Sequence, residues 1–528
     1  MNSLSDLLFY KTSLYDDSIA IDNESEKINF KTLNHQALNI ASCINKLGIS
    51  KETIGIVGQR KISTYYSLLG IVYSGCSFTP LSLKYKRKKL LDIIKQANIH
   101  YIIGELSDLI EIHKLLSGKE NLVYISNSNN GIRKTKFKHI SIDKGNDLSI
   151  SQPIKSQNTD LAYIMFTSGS TGTPKGVKIS NKNILSFLES MTKLYPQKEN
   201  FIASQTFDLS FDPSLSDLFF TWSIGGTLCI LNEKEKLLPY QYIIRNNITF
   251  WNSVPTIAKF MHKMGVLKPN IFPSLKYSMF CGEQFPEEIA NAWKIAAPNS
   301  TIENLYGPTE TTIYITRYKY NIRLNNNFHN SIVPIGEVFP NHKVSLIDQF
   351  DNKIQKGIGE LCFSGNQISG GYLNDEENTK SKFLKFNWDL DNKIWYKTGD
   401  LAFINKQGDI ECIGRKDSQI KLGGKRIEIS EIEHVLSKNL KLNDVIIVPI
   451  KDNLNVVVGI VAFTENDINE KLEQEILKNF QEQLDKTFFP KKIISISKFP
   501  YNQSLKLDKK KLEEMAKKQI KTERYQKE

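Results

Sequence analysis

The sequence lacks several features that would assign it to other classes of protein. It contains no apolar run of about 18 residues, so we expect neither a membrane-spanning helix nor a membrane partner. The N-terminal stretch is acidic and has no basic segment before its short apolar patch, so we expect no secretory signal. Over 528 residues, 24% are charged and 40% hydrophobic, which is typical of a globular protein with more than one domain.

Cysteine is scarce and dispersed. The chain has six cysteines, and none of them forms a Cys-x-x-Cys pair. Zinc sites and disulfide frameworks need clustered cysteines, so we predict neither and expect the reducing cytoplasm as location. The net charge is +12, but the lysines are spread along the chain and the C-terminal run is mixed with glutamate. This pattern favours a solvated surface over a nucleic-acid site, and the basic bias suits a nucleotide and an acidic protein partner.

A dense run of small and hydroxyl residues stands out in the first half of the chain. Residues 163–177 read YIMFTSGSTGTPKGV, with an apolar segment typical of a buried strand leading into the loop. Glycines let a backbone approach a ligand, and consecutive N–H groups, hydroxyls and a lysine form an anion site. The run does not end in the Gly-Lys-[Ser/Thr] of the Walker pattern. A flexible linker is the alternative, but the preceding strand and the following Pro-Lys-Gly disfavour it. The candidate phosphate-binding residues are Thr167, Ser168, Gly169, Ser170, Thr171, Gly172 and Lys175.

Strand-type runs alternate with amphipathic segments before and after this loop, which predicts an α/β fold with parallel strands. The predicted strands are 54–58, 77–81, 100–103, 201–204, 227–231, 248–252 and 277–280, and the predicted helices are 62–73 and 86–96. Between about 334 and 412 the pattern predicts many strands and few helices, which indicates a β-rich subdomain.

Four further motifs follow the phosphate loop in order. They are NLYGPTE at 304–310, GELCFSG at 359–365 with GGYL at 370–373, YKTGDL at 396–401, and the segment from 414 to 433 beginning GRKDSQIKLGGKR. Together the five motifs resemble the adenylate-forming superfamily of acyl-CoA synthetases, luciferases and nonribosomal peptide synthetase adenylation domains. The resemblance implies an N-terminal domain at 1–414, a hinge at 415–417 centred on Asp417, and a small α+β lid at 418–528.

The resemblance also implies a reaction and its nucleotide site. A carboxylate would attack the α-phosphorus of ATP, pyrophosphate would leave, and Mg²⁺ would neutralise the phosphates. Glu310 matches the family's magnesium-contacting glutamate, Thr309 an α-phosphate contact and Tyr306 the ring that stacks on adenine. Asp400 would accept hydrogen bonds from the ribose hydroxyls, with Arg415 beside it. The same motif adds Asn304 and Gly307 to the predicted nucleotide site.

A catalytic lysine near the C-terminus is a further expectation from the family. In the family this lysine enters from the lid and bridges the substrate carboxylate and the phosphate. Aligning on Lys-x-Asp-[Arg/Lys]-x-x-Leu selects Lys506, although Leu505 and Ser504 replace the usual glycine and asparagine before it. The competing assignments are Lys509, Lys510 and Lys511.

Two tandem Phe-Asp-x-Ser copies indicate which kind of carboxylic acid is the substrate. Amino-acid-activating members carry an aspartate in this setting that pairs with the substrate ammonium. Counting back from Gly225-Gly226-Thr227 favours Asp212, and Asp208 is the alternative. The family's pocket positions correspond to Asp212, Pro213, Ser216, Asn252, Met279, Cys281, Leu305, Ile313 and Tyr314. This mixed lining suits a small or medium amino acid, and the Cys281 segment resembles D-alanine–carrier-protein ligases.

The sequence therefore predicts an enzyme that forms an aminoacyl-adenylate from ATP. No phosphopantetheine attachment module follows in this chain, so the expected acceptor is the phosphopantetheine thiol of a separate carrier protein. An acyl- or aryl-CoA ligase of the same fold is the first alternative, since it would not need Asp212. A nucleotide-binding protein without catalysis is the second, and only the altered residues before Lys506 support it.

Overall fold

The fold is taken from a computed structural model. It describes residues 2–58, 60–117, 122–126, 138–142, 149–168, 173–196, 200–232, 235–321, 328–416, 419–440, 445–454, 456–468, 474, 480, 484–500 and 508–525.

The α-helices of these residues are numbered in chain order. They are α1 (Leu4–Thr12), α2 (Phe30–Lys46), α3 (Ile62–Tyr73), α4 (Arg87–Gln96), α5 (Leu106–Leu115), α6 (Asn181–Leu194), α7 (Pro213–Ser223), α8 (Pro239–Arg245), α9 (Pro255–Lys263), α10 (Glu287–Ala296), α11 (Glu376–Lys382), α12 (Ile429–Leu440) and α13 (Lys509–Tyr525). None of the described helices is long and apolar enough to cross a membrane.

The strands are numbered in the same way. They are β1 (Ile19–Asn23), β2 (Glu26–Asn29), β3 (Thr53–Val57), β4 (Ser77–Leu81), β5 (Tyr101–Gly104), β6 (Val123–Ser126), β7 (His139–Ser141), β8 (Leu161–Thr167), β9 (Lys175–Ser180), β10 (Ile202–Gln205), β11 (Thr227–Ile230), β12 (Phe250–Ser253), β13 (Tyr277–Cys281), β14 (Thr301–Tyr306), β15 (Thr316–Tyr320), β16 (Glu337–Val338), β17 (Lys343–Ile347), β18 (Lys353–Ile354), β19 (Gly359–Ser364), β20 (Phe383–Leu384), β21 (Trp395–Ile404), β22 (Ile410–Arg415), β23 (Gln419–Leu422), β24 (Lys425–Glu428), β25 (Val445–Lys451), β26 (Val457–Thr464) and β27 (Ile493–Ser495).

The chain divides into two compact units. The first comprises Met1–Leu83, Leu90–Phe166 and Lys175–Lys416, and the second comprises Lys84–Lys89, Thr167–Pro174 and Asp417–Glu528. The first unit ends at Lys416, since Arg415 still belongs to β22 and the N–H of Lys416 donates to the carbonyl of Gly399. The domain limits inferred from the resemblance stay a prediction. Asp417, the predicted hinge residue, lies outside the described residues.

Two largely parallel sheets dominate the first unit. Their orders in the described residues are β16-β15-β14-β13-β12-β10-β11-β1-β2 and β7-β6-β5-β3-β4-β8-β9. Strands such as β12 and β4 are buried on both faces, as expected where helices cover a parallel sheet. One apolar cluster spans both sheets and includes Phe78, Tyr163 and Phe219. Ligand sites in such folds form beyond the carboxyl ends of parallel strands.

A third sheet of the first unit is antiparallel throughout. Its order is β18-β17-β19-β21-β20, with β22 on β21. It covers the region where the sequence predicted a β-rich subdomain, and α11 is the helix that the described residues place there. Its core includes Leu361, Phe363 and Tyr396.

The second unit contains a hairpin and a three-stranded sheet. β23 and β24 join through Gly423 and Gly424, whose φ angles of 58° and 75° lie in the left-handed region that favours glycine. β25, β26 and β27 form the sheet. Leu512 and Ala516 of α13 pack in one apolar cluster with Val448 of β25.

The mixed α/β architecture confirms the predicted fold class. Helix α3 has the predicted bounds, and the predicted strands in both parallel sheets lie within two residues of those observed. These segments are short apolar runs bounded by glycine or polar residues, a pattern that local sequence reports well.

Candidate active site

The YGPTE motif leaves the end of β14 and turns sharply. A Cβ atom at Gly307 would lie 2.4 Å from the carbonyl oxygen of Ile313, so the close approach of these two segments requires glycine. Thr309 begins a short 3₁₀ turn in which the side chain of Glu310 is fully buried. The turn therefore brings the predicted magnesium and phosphate residues beside the predicted pocket residue Ile313.

The next turn has an unusual backbone. Thr312 and Ile313 have φ angles of 59° and 73°, which β-branched residues rarely adopt and which cost about 1–3 kcal/mol each. The buried amide nitrogen of Gln367 donates to the carbonyls of Thr311, Thr312 and Tyr314 at 3.1, 3.3 and 2.7 Å. The Thr312 hydroxyl donates to the carbonyl of Gln367 at 2.6 Å. Gln367, to which the sequence gave no role, thus holds this turn in place.

The GGYL element delivers a tyrosine to Glu310. Tyr372 pairs with Val177 of β9, and its hydroxyl donates to Oε1 of Glu310 at 2.8 Å. Gly371 has a φ of 84°, and a Cβ atom there would lie 2.4 Å from Cγ2 of Thr379. The second glycine of the element is therefore required by both conformation and space. Sequence reasoning noted the element but assigned Tyr372 no function.

Lys175, the lysine of the phosphate loop, lies at the start of β9. Its Nζ atom is 5.7 Å from the centre of the Tyr372 ring and 3.4 Å from Oδ1 of Asn378. Lys175 and Glu310 therefore both contact one tyrosine, which links the lysine of the phosphate loop to the predicted magnesium ligand.

The rest of the predicted phosphate loop is only partly described. Thr167 ends β8, and the Ser168 hydroxyl donates to the carbonyl of Arg426 at 2.7 Å within the second unit. Gly169, Ser170, Thr171 and Gly172 lie outside the described residues, as does Lys506.

The predicted ribose residues come together. Asp400 and Arg415 are register partners across β21 and β22, and Nη1 of Arg415 donates to Oδ1 of Asp400 at 2.7 Å. The hydroxyl of Tyr306 donates to Oδ2 of the same carboxylate. Burial and the neighbouring Asp400 charge raise the pKa of the Tyr306 hydroxyl well above its usual value, so it remains a donor. One carboxylate thus links the second nucleotide motif to the ribose motif.

The remaining residues of the TGD turn support Asp400. The Thr398 hydroxyl donates to the carbonyl of Leu361 at 2.8 Å and accepts from the N–H of Asp400 at 3.0 Å. Gly399 has a φ of 77°, and its N–H donates to Oε1 of Glu360 at 3.1 Å. The motif sequence therefore fixes the position of the carboxylate.

The side chain of Asn304 forms hydrogen bonds to the protein backbone. Its side-chain nitrogen donates to the carbonyls of Val333 and Pro334 at 3.0 and 2.9 Å. This buried amide fixes the segment that precedes β16 against β14.

The two tandem aspartates have different environments. Oδ1 of Asp208 accepts from the N–H and the hydroxyl of Ser210 at 3.1 and 2.7 Å, which is a local turn of the chain. Asp212 is buried and precedes Pro213, the first residue of α7. The positive end of a helix dipole stabilises a carboxylate at that position.

The other predicted pocket residues lie on adjacent strand ends. Asn252 pairs with Met279, and Cys281 pairs with Leu305, across β12, β13 and β14. Paired residues on neighbouring strands point to the same face of a sheet, and Met279 and Cys281 are two apart on one strand. All four side chains are buried, as are Pro213, Ser216, Ile313 and Tyr314.

A polar network crosses this lining. The amide nitrogen of Asn252 donates to Oδ1 of Asp217 at 2.7 Å and to the hydroxyl of Tyr314 at 3.0 Å. The thiol of Cys281 lies 3.5 Å from the same hydroxyl. Sequence reasoning missed Asp217, although its spacing of four residues from Pro213 places both on one face of α7.

The residues around Glu310 fit a bound Mg²⁺ ion. The described residues contain no group of three or more His, Cys, Asp or Glu that could hold a metal alone. Mg²⁺ usually binds through one or two carboxylates together with substrate phosphates and water. A buried carboxylate held by the Tyr372 hydroxyl, whose ring also contacts Lys175, has that chemistry.

The fold and the clustered nucleotide motifs define an adenylate-forming enzyme. Residues 10–373 match the family described as AMP-binding enzyme, and the chain belongs to that family.

Two curated relatives cover most of this chain. Zwittermicin A synthase ZmaJ of Bacillus cereus is 31% identical over 508 residues, which are 94% of this chain and 91% of the relative. The D-alanine–D-alanyl carrier protein ligase of Bacillus licheniformis is 27% identical over 94% of this chain and 96% of its own length.

A solved structure is also similar. The adenylation domain AlmE of Vibrio cholerae, solved in complex with glycyl-adenosine-5'-phosphate, superposes with a TM-score of 0.88 and is 26% identical. The similarity covers 98% of both chains. The structural similarity therefore agrees with the family match and with the fold class that the sequence predicted.

Proposed function

We propose that this protein activates an amino acid as its aminoacyl-adenylate and transfers it to the phosphopantetheine thiol of a separate carrier protein. The observation that carries the proposal is the buried position of Asp212 at the start of α7, the helix that also contains the predicted pocket residues Pro213 and Ser216. An ammonium group of the substrate would give this buried carboxylate a partner of opposite charge.

Asp212 would bind the α-ammonium group of the substrate. A charge-assisted hydrogen bond between the two groups is strong and short when water is excluded. A fatty acid would leave the Asp212 charge without that compensation and bury it at a high cost. Asp208 is less suited to this role because Ser210 donates twice to one of its oxygens.

The nucleotide would lie across the motifs that meet at Asp400 and Glu310. Asp400 would accept hydrogen bonds from the ribose hydroxyls while Arg415 and Tyr306 fix its orientation. Lys175 and Thr309 would contact the phosphates. Glu310 would hold Mg²⁺, which supplies charge neutralisation at the phosphates.

Lys506 would supply the last positive charge, from outside the described residues. Its assignment depends on the resemblance of its segment to the family's lysine motif. A compact ammonium on a long stem can contact the substrate carboxylate and the α-phosphate together. The charge would stabilise the transition state of adenylate formation.

The relatives support an amino acid substrate and a carrier acceptor. One is named as a ligase for D-alanine and the D-alanyl carrier protein, and one was solved with a glycyl-adenylate. Both cover nearly the whole of this chain.

The test is ATP–pyrophosphate exchange with the twenty standard amino acids, D-alanine and β-alanine. We expect exchange that depends on at least one amino acid. Exchange only with fatty or aryl acids would assign the protein to the CoA ligases. No exchange with any acid, together with retained ATP binding, would favour the nucleotide-binding protein without catalysis.

A second measurement identifies the thiol that accepts the activated amino acid. The preferred amino acid, carrying a radiolabel, is incubated with ATP and either a phosphopantetheinylated carrier protein or free CoA. We expect label on the carrier protein. Label on CoA alone would contradict the carrier assignment but not the first half-reaction.

A further inference from the structure

The carboxyl group of Asp217 is a fully buried ionisable group that is bonded to a predicted residue of the amino acid pocket. Its side chain has 0% exposure and lies in the second turn of α7. Oδ1 accepts the hydrogen bond from Asn252, whereas Oδ2 has no hydrogen-bond partner among the described residues. Burial raises the pKa of this carboxyl well above its usual value, and the bond from Asn252 opposes the rise only in part.

Other polar atoms of the predicted pocket are also buried without a hydrogen-bond partner. Within the described part of the chain, Oδ1 of Asn252 and Oγ of Ser216 are buried without hydrogen-bond partners. Both amide hydrogens of Asn252 are already used, by Asp217 and by Tyr314. Folded proteins rarely keep several buried polar atoms without partners in one place, so such a group indicates a bound molecule that completes the bonds.

The position of Asp217 joins it to the pocket. Ser216, Asn252 and Tyr314 all belong to the predicted pocket lining, and Asp217 bonds to one of them directly. Asp217 also shares a face of α7 with Pro213, another lining residue, because the two are four residues apart.

We propose that Asp217 determines specificity and, with Asn252, binds a hydroxyl group at the end of the substrate side chain. This inference rests on the proposed function and narrows the substrate class to hydroxy amino acids. Asp212 would bind the backbone ammonium, and Asp217 would bind the side chain.

A hydroxyl group suits this pair of residues better than other groups. A neutral Asp217 can donate from Oδ2 to the substrate oxygen, and the substrate hydroxyl can donate to Oδ1 of Asn252. An aliphatic side chain would leave these buried atoms without partners. An ammonium group would require Asp217 to ionise in a position where burial opposes the charge.

The test is pyrophosphate exchange with matched substrates that differ in one hydroxyl. The pairs are serine with 2-aminobutyrate, threonine with valine, and homoserine with norvaline, and 2,3-diaminopropionate tests the ammonium group. We expect the hydroxyl member of the best pair to have a kcat/KM at least about tenfold higher. Diaminopropionate should be a poor substrate.

Substitutions assign the preference to Asp217. Asp217→Leu should reduce the ratio of hydroxyl to aliphatic substrate by about tenfold or more, with the KM for ATP unchanged, because an apolar group replaces a buried carboxyl at similar volume. Asp217→Asn should retain part of the preference. Ser278→Ala is the control, since Ser278 bonds to Ser300 and is adjacent in β13 to Met279, so it points to the opposite face.

Each outcome decides the inference. A wild-type preference for aliphatic or diamino substrates would overturn it, as would an Asp217→Leu variant that folds normally and keeps the wild-type ratio. If that variant does not fold, the ratio in Asn252→Leu decides in the same way. Exchange with no amino acid would overturn the proposed function itself, whereas exchange with non-hydroxy amino acids would overturn only this inference.

Discussion

The hydroxyl of Tyr372 donates a hydrogen bond of 2.8 Å to the carboxylate of Glu310, although the two residues are 62 positions apart in the chain. The bond exists because the GGYL element pairs with β9 directly after the phosphate loop. Tyr372 thus fixes the orientation of the carboxylate that we propose binds Mg²⁺.

Tyr372→Phe should therefore weaken metal binding. A residue that orients a metal ligand typically contributes tenfold or more to metal affinity. We expect the Mg²⁺ concentration for half-maximal pyrophosphate exchange to rise about tenfold, with the KM for the amino acid unchanged. Tyr318→Phe, whose ring packs on Phe328, is the control. An unaltered Mg²⁺ dependence in a folded Tyr372→Phe protein would refute the role.

Asp212→Ala should abolish amino acid activation. Loss of the partner of a buried ammonium costs about 3–5 kcal/mol, which is roughly two to three and a half orders of magnitude in kcat/KM. ATP binding, measured by calorimetry, should remain. Asp208→Ala is the matched variant, and it should lose only a local turn, with about 0.5–2 kcal/mol of stability. Severe loss of exchange in Asp208→Ala with a mild Asp212→Ala would reverse the assignment of the two copies.

Asp400→Asn should impair nucleotide binding. The amide carries no negative charge and has one acceptor oxygen instead of two, so it would pair less strongly with Arg415 and bind the ribose hydroxyls less strongly. We expect the KM for ATP to rise about tenfold, since each such bond is worth about 1.5–3 kcal/mol. Steady-state exchange at varied ATP measures the change, with Asp409→Asn as control. Equal KM values for the two variants would count against the ribose site.

Gln367→Leu should destabilise the fold. It removes three hydrogen bonds donated to the strained turn at Thr312 and Ile313, a loss of about 2–4 kcal/mol. Urea denaturation measures the change in the free energy of unfolding. Gln205→Leu, which removes the one bond to the carbonyl of Phe207, should cost about 1 kcal/mol. Similar losses in both variants would show that Gln367 does not hold the turn.

Much of this arrangement could be predicted from local sequence. Each of the YGPTE and TGD motifs is a short run of the chain, and their resemblance to a known family assigned Tyr306, Asp400 and Arg415 to one nucleotide site, although Tyr306 and Asp400 are 94 positions apart. The structure brings these three side chains together. Buried strands such as β4 were also predicted with their observed bounds, because short apolar runs between polar residues define them.

The supporting residues could not be predicted in this way. Gln367 and Tyr372 act on residues more than fifty positions away, and only the pairing of distant segments reveals those contacts. Asp217 could have been noticed from its helical spacing to Pro213. Its burial and its bond to Asn252 depend on the packing of α7 against β12 and have no local signal.

Lys506→Ala should slow adenylate formation by about two or more orders of magnitude, because a charge at the reacting phosphorus is worth roughly 3 kcal/mol. Thioester formation from preformed adenylate should be largely unaffected, since the family's lysine acts in the first step. Single-turnover assays separate the two steps. Lys511→Ala, at an exposed residue in the first turn of α13, is the control. Full activity of Lys506→Ala in exchange would remove its catalytic assignment.

The close contact of Gly307 with Ile313 and Tyr314 has a consequence for how substrate preference can evolve. Two lining residues lie in the same tight turn that presents Glu310, so a change of side chain there would also disturb ATP handling. Asn252, Met279 and Cys281 project from regular strands outside this turn, and only the Tyr314 hydroxyl links Asn252 and Cys281 to it among the contacts described above. Changes of amino acid preference, whether natural or engineered, should therefore be tolerated more often at the strand positions than in the turn.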